Sequence, residues 1–246
     1  MIAWLDPLRA ALDREEQSTT WFFRDDDAGW ADQHLYRMLD CFAEFGVAID
    51  LAIIPTELHD QLAATLLERR QKSKDLLGLH QHGFSHTNYE VAGRKCEFGA
   101  SRSFNQQHDD IARGANLLCE RLGPAIDPIF TPPWNRCSAA TVSTLRTLGF
   151  NALSRDVSAA PLLLQELVEI PVSIDWSKYC RGEAVDLAVI GDILAAAVGL
   201  PRVGVMLHHA VMDQADLSAL RELLQLISEH RSIQCMRMRD FIPKEK

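Results

Sequence analysis

Apolar residues in this chain switch repeatedly between two periods. Short apolar runs fall at 19–24, 47–54, 75–82, 126–131, 151–154, 167–174, 203–208 and 232–236. Between them lie longer stretches with apolar residues every three or four positions, at 31–45, 57–70, 102–122, 138–148, 184–198 and 214–229. The first pattern suits buried strands and the second amphipathic helices. Strands alternating with helices imply a parallel sheet under helical cover. About seven such units in 246 residues suit a closed or nearly closed β/α barrel. An open doubly wound sheet is the alternative, but no glycine-rich phosphate loop follows the first strand. No linker, repeat or low-complexity tract interrupts the pattern, so residues 1–246 read as a single domain. The long loops are 83–101 and 155–166.

Local signals sharpen several boundaries. Pro55 ends the second strand, and Pro132-Pro133 closes the run at 126–131. Ser138 caps the helix after it and Gly149 follows it. The stripe Phe104, Ile111, Leu118 and Leu122 marks the long helix, with Gly123 as its stop.

Charge excludes some functions. Twenty-five basic and thirty-four acidic residues leave a net charge of −9, which argues against nucleic acid as a partner. A local basic pocket stays compatible with that balance. No apolar run is long enough for a membrane span. The N-terminal segment has an acid at Asp6 and mixed charges at 13–16. It reads as a short amphipathic helix rather than a secretion signal, which predicts a cytoplasmic protein. Cys41, Cys96, Cys119, Cys137, Cys180 and Cys235 are widely spaced. They form no CxxC pair and read as buried free thiols.

The chemistry-bearing residues gather where strands end, which is where β/α barrels place their sites. Arg24-Asp25-Asp26-Asp27 puts three carboxylates in succession, costly without a cation or basic partner, although a solvated acidic turn also fits. His80-Gln81-His82-Gly83-Phe84-Ser85-His86 offers three histidines whose spacing can converge on one metal. Two histidines and one carboxylate would leave coordination positions open. Thr131-Pro132-Pro133-Trp134 stiffens a turn whose next N–H, that of Trp134, could serve an oxyanion. A rigid loop around a buried Trp explains it equally well. His208 ends a late strand and is a general-acid candidate, although a core or surface histidine fits this strand as well. Asp175 could orient it, and Trp176 could wall a pocket. Glu97, Arg102 and Tyr179, in or beside the loops at 87–101 and 155–182, are further lining candidates, although exposed loop polarity explains them equally well.

Taken in order, these motifs resemble the polysaccharide deacetylases of carbohydrate esterase family four, over roughly residues 20–213. The resemblance implies a distorted seven-stranded β/α barrel holding one divalent metal ion, usually zinc. It assigns Asp27, His82 and His86 as metal ligands and Asp26 as general base. It gives the Trp134 N–H to the oxyanion, and makes His208 the general acid, steadied by Asp175. Asp25 as base with Asp26 as ligand is the rival pairing. The chain departs from the family at Thr131, where an Arg usually pairs with the base; Arg24 and Arg136 are the candidates to replace it. Ala28 stands where the family has Gly, and His80 and His209 have no family counterpart.

The implied reaction is metal-assisted hydrolysis of an amide, removing acetyl from a small or oligomeric N-acetylated carbohydrate or a related amide. Two other readings stay open. One is a metal-dependent amidohydrolase for cyclic amides or ureides, which would usually place its His-x-His after the first strand. The other is a non-catalytic saccharide-binding member of the same fold, which the missing third-motif Arg would favour. The sequence does not fix the oligomeric state.

Overall fold

The computed structural model describes residues 3–73, 76–180 and 187–243. Its strands are β1 (Thr19–Ala28), β2 (Ile49–Ile53), β3 (Leu77–His82), β4 (Ile129–Thr131), β5 (Ala152–Leu153), β6 (Val168–Glu169), β7 (Ile174–Asp175), β8 (Val203–Leu207) and β9 (Ile233–Cys235). The helices are α1 (Asp6–Arg14), α2 (Asp32–Phe45), α3 (Asp60–Lys72), α4 (Phe104–Leu122), α5 (Ala139–Thr147), α6 (Trp176–Cys180), α7 (Leu187–Ala197) and α8 (Gln214–Glu229). Residues 75 and 184–186, placed by periodicity in a strand and a helix, lie outside the described residues.

The strands form one parallel, curled sheet in the order β6-β5-β4-β3-β2-β1-β8-β7, with β9 beside the first half of β1. This is the distorted β/α barrel expected. One expected element is corrected: 167–174 is not a single strand. Its first half, β6, pairs with β5, and its continuation, β7, pairs with β8. Pro171 sits at the break, where a residue without an N–H cannot extend a ladder. The two edges of the sheet are therefore two halves of one extended segment. Counted once, that segment makes the seventh strand position of the ring.

Alternation along β1 separates two environments. Trp21 and Phe23 face outward into the main core with Leu35 and Phe42 of α2 and Leu220 of α8. Phe22 faces the other way, with Ile129, Val172 and Met238. All three aromatic residues are fully buried, and each such burial contributes about 1.5–3 kcal/mol. The long helix starts with a Ser103–Gln106 capping box, which satisfies two orphan donors. Phe104, expected on its buried stripe, is instead exposed in the first turn. Of the cysteines described, Cys41 and Cys96 are buried, whereas Cys119 is exposed. Among the described residues no helix is long and apolar enough to cross a membrane.

At the N-terminal ends of the strands, the chain after β9 packs back across the interior. Met238 N–H donates to Asp50 Oδ2 at 2.8 Å, and Arg237 pairs with Asp127 at 2.6 Å. Gly78 is required beside Asp50, because a Cβ there would sit 1.8 Å from Asp50 Oδ1.

Candidate active site

β1 runs further than its apolar run suggests. Pairing with β2 and β8 carries it through the acidic residues to Ala28, so the three carboxylates lie in the strand rather than after it. Each has its own partner, which is what makes the run tolerable.

Asp25 points outward. Its Oδ1 accepts the His209 backbone N–H at 2.9 Å, and its Oδ2 accepts His209 Nδ1–H at 2.6 Å. His209 Nε2–H donates to Trp30 O at 2.7 Å. With both ring nitrogens donating, His209 is an imidazolium. Burial opposes that charge, but the Asp25 carboxylate outweighs it and raises the histidine to about 9. Asp25 is thus occupied away from the other acids.

Asp26 points inward, as alternation demands. Arg24, two residues earlier on the same face, holds it with Nε at 2.8 Å and Nη2 at 2.9 Å. The same guanidinium donates to Ser154 Oγ at 2.7 Å and Asn135 Oδ1 at 2.7 Å. Both members of the pair are buried. A carboxylate gripped through two guanidinium nitrogens is fixed in orientation.

Asp27 should face outward again, but does not. A register shift falls between Asp25 and Ala28, and Asp27 adopts a left-handed conformation with φ 68°. Asp tolerates that region better than most residues, and a bulge re-aims side chains. Asp27 Oδ1 therefore lies 3.1 Å from His82 Nε2 and 3.1 Å from His86 Nε2. One ligand atom from each of these residues falls within 4.8 Å of the others. Burial would raise Asp27, but the two histidine hydrogen bonds outweigh it and hold the carboxyl well below its ordinary range.

Supporting contacts fix the three side chains. His82 Nδ1–H donates to Thr131 O at 3.0 Å, which turns Nε2 towards Asp27 and leaves it available as a ligand. Gly83 turns the chain at φ 56°, where a Cβ would meet Glu97 Oε2 at 2.2 Å. The buried Glu97 carboxylate accepts the N–H groups of Phe84 at 3.3 Å and Ser85 at 2.8 Å, which delivers His86 to the triad. His86 is packed between Trp30 and Trp134, with ring centroids 4.7 Å and 4.4 Å away. Trp134 is itself left-handed at φ 57°, unusual for a bulky side chain. Such strain concentrates at functional sites.

Other expected placements differ. His208 and Asp175 border the same cavity, but His208 Nδ1 meets Ser177 Oγ at 3.2 Å rather than Asp175. Trp176 is buried against Trp4 and does not wall a pocket. Glu97 holds the histidine loop from beneath. Arg102 pairs with Asp110 at 2.7 Å and stacks on Tyr89. The side chain of Tyr179 lies outside the described residues. Arg136 donates to Lys95 O at 2.8 Å, so the partner of Asp26 is Arg24. His80 is fully buried with Nε2 2.9 Å from Thr131 Oγ1; burial and the nearby Arg24 hold it neutral. Asn135, Ser154, Ser177 and His209 were not singled out for the site by sequence. His209 at least carried a signal, standing next to His208.

Comparison with known proteins turns on the fold. No protein-family model matches the chain, and no curated protein matches it by sequence. Among solved structures, a Mycobacterium smegmatis protein assigned to the polysaccharide deacetylases matches with a TM-score of 0.66 and 17% identity, over 92% of this chain and 90% of its own. A family 4 carbohydrate esterase from Streptomyces lividans, in complex with acetate, matches at 0.57 and 13%, over 92% and 94%. A family 4 acetyl xylan esterase from Clostridium thermocellum, in complex with a cobalt ion, matches at 0.55 and 12%, over 85% and 82%. The chain has the fold of carbohydrate esterase family four. Within the family-four fold, the departure at Thr131 now has a physical account. Thr131 supports His80 through its hydroxyl and His82 through its carbonyl, while the guanidinium comes from β1 itself.

Proposed function

We propose that this chain is a divergent family-four, metal-dependent deacetylase that hydrolyses the acetamide of an N-acetylated sugar, small or oligomeric. The observation carrying this reading is the convergence of Asp27, His82 and His86 beside an inward carboxylate, Asp26, held by Arg24.

The residues present fit a divalent ion. Two imidazole nitrogens and a carboxylate oxygen are a common catalytic donor set, and the second histidine nitrogen of His82 is anchored on a backbone carbonyl, as metal-binding histidines usually are. The donor set suits zinc and several other divalent ions. Bound there, such an ion supplies Lewis acidity for polarising the acetyl carbonyl and acidifying water.

The chain's own residues supply the rest. Asp26, held and oriented by Arg24, takes the proton from the attacking water. The Trp134 N–H, set by the rigid Pro132-Pro133 turn, donates to the oxyanion; one such donor is worth about 10²–10³ in rate. His208 gives its proton to the leaving amine, with Ser177 rather than Asp175 positioning its ring.

Two measurements test this. Protein purified without chelators is expected to hold about one equivalent of a divalent transition metal, as a single three-ligand site allows. Asp26→Asn is expected to retain that metal and lose about 10²–10⁴ in turnover on acetamido sugars. Absence of metal after incubation with zinc, cobalt or manganese would sink the reading, as would full turnover in Asp26→Asn.

A further inference from the structure

A cavity of about 600 Å³ opens beside the triad, walled by Trp134, Asn135, Met206 and His208. Its size is that of a small-ligand site. Asn135 and Met206 also touch the Arg24 guanidinium, so the cavity and the Arg24–Asp26 pair share a wall.

The charged part of this lining is mostly basic in a protein of net charge −9. Arg94, Arg136, Arg155 and Lys178 line it, against the carboxylates Asp156 and Asp175. Two of these charges have local duties. Arg155 is bound by Glu169, and Asp156 accepts from its neighbour Ser158. Arg94 and Arg136 are different. Neither meets a carboxylate at ion-pair distance among the described residues, and the Arg136 guanidinium donates to a backbone carbonyl, that of Lys95. Arg136 is half-buried and Arg94 exposed. Burial, and then the like charge of Arg94, hold the Arg136 guanidinium below its ordinary range. Lys95, beside them in sequence, extends its ammonium to 5.9 Å from the Trp134 ring centroid. Guanidinium groups are the preferred partners of planar or tetrahedral oxyanions, and two left without a carboxylate in one cavity are an incomplete ion pair.

We propose that Arg94 and Arg136 form a subsite for an oxyanion, phosphate or carboxylate, carried by the substrate, so that the acetamido sugar is anionic. This rests on the deacetylase reading for the identity of the sugar, whereas the subsite itself stands on the cavity and its cations. Phosphate is the better charge match, since a phosphomonoester carries about −1.5 to −2 at neutral pH.

The test uses three probes differing at one carbon: N-acetylglucosamine, its 6-phosphate and its 6-carboxylate. Binding is measured by calorimetry on Asp26→Asn protein, and again on His82→Ala protein to remove any direct contribution of a metal. At least one anionic sugar is expected to bind about 10–100-fold tighter than the neutral one, in both backgrounds. Arg136→Ala and Arg94→Ala are each expected to cut that ratio about tenfold, and Arg94→Ala, being exposed, tests the idea if Arg136→Ala fails to fold. Which anion gains more identifies the source of the oxyanion. A ratio near one, or a ratio unchanged by both arginine substitutions, overturns the proposal. Turnover by the unsubstituted protein separates the two readings. Anion-selective binding without deacetylation of any probe removes the deacetylase assignment and keeps the subsite. Equal turnover of neutral and anionic probes, with no binding preference, does the reverse.

Discussion

Charge is buried at both ends of this barrel, but to different effect. At the N-terminal ends, Asp50 and Asp127 lie against Arg237 and the Met238 backbone. Burial dominates there: it raises Asp127 and pushes Asp50 up to about 7. At the C-terminal ends Asp27 is also mostly enclosed, yet two histidines pull it down. The floor therefore lets a carboxylate approach neutrality, and the rim keeps one ionised. The floor groups are covered by the returning chain, whereas the rim groups adjoin a cavity through Trp134 and Asn135, which touch His86 and Arg24. On the proposed function, buried charge serves chemistry only at the end that adjoins this cavity.

The sharpest way to break this contrast is to remove one guanidinium from each end. Arg24→Ala strands Asp26 without its partner and should cost about 3–5 kcal/mol, with turnover down about 10²-fold from the misplaced base. Arg237→Ala should cost comparable stability and leave turnover within a few-fold. Chemical unfolding together with acetamide hydrolysis reads both, and equal losses of turnover would erase the distinction between the ends.

A smaller effect tests whether the outward face of the rim is structural. His209 titrates near 9 when folded, against an ordinary value of 6.5. Its raised value means that the contribution is complete below about pH 6.5 and is lost as pH rises through 9. Its size is on the order of 3 kcal/mol. His209→Gln should thus trail the unsubstituted protein most at pH 6, with the gap closing towards pH 9.5. A gap independent of pH in thermal melts would mean that His209 contributes by packing alone.

The floor has its own steric test. Gly78→Ala drives a methyl into Asp50 Oδ1 and should cost about 1–3 kcal/mol. Adding Asp50→Ala to it should return part of that loss, because the clash requires both groups. Additive losses in denaturant midpoints would show that the glycine serves another purpose.

How much of this was readable beforehand follows from what each feature depends on. The helix at 214–229 and the strands around Leu51 and Leu79 depend on local periodicity, and they stood out. Asp27 and His82 could be nominated from motif order because they lie at strand ends, and His86 because it follows β3 by four residues; β/α barrels collect strand ends. The division of labour among Asp25, Asp26 and Asp27 was harder to read. It hinges on the left-handed turn at Asp27, which no periodicity encodes. The split of 167–174 had a visible cause in Pro171, but which edge each half joins depends on barrel closure. The partner of His208 is hard to read for a similar reason. Asp175 is the more obvious polar neighbour, yet the first turn of α6 presents Ser177 instead.

Arg24 and Asp26 are separated by a single residue on one strand face. Their pair closes a very small covalent loop, so it forms at high effective concentration and needs little further chain ordering. A guanidinium on a different strand would depend on the distance between the two strand ends. Here the proposed base carries its counter-ion with it. Any opening of the barrel mouth would move the two together on β1, so that the alignment of the carboxylate would be decoupled from the width of the opening.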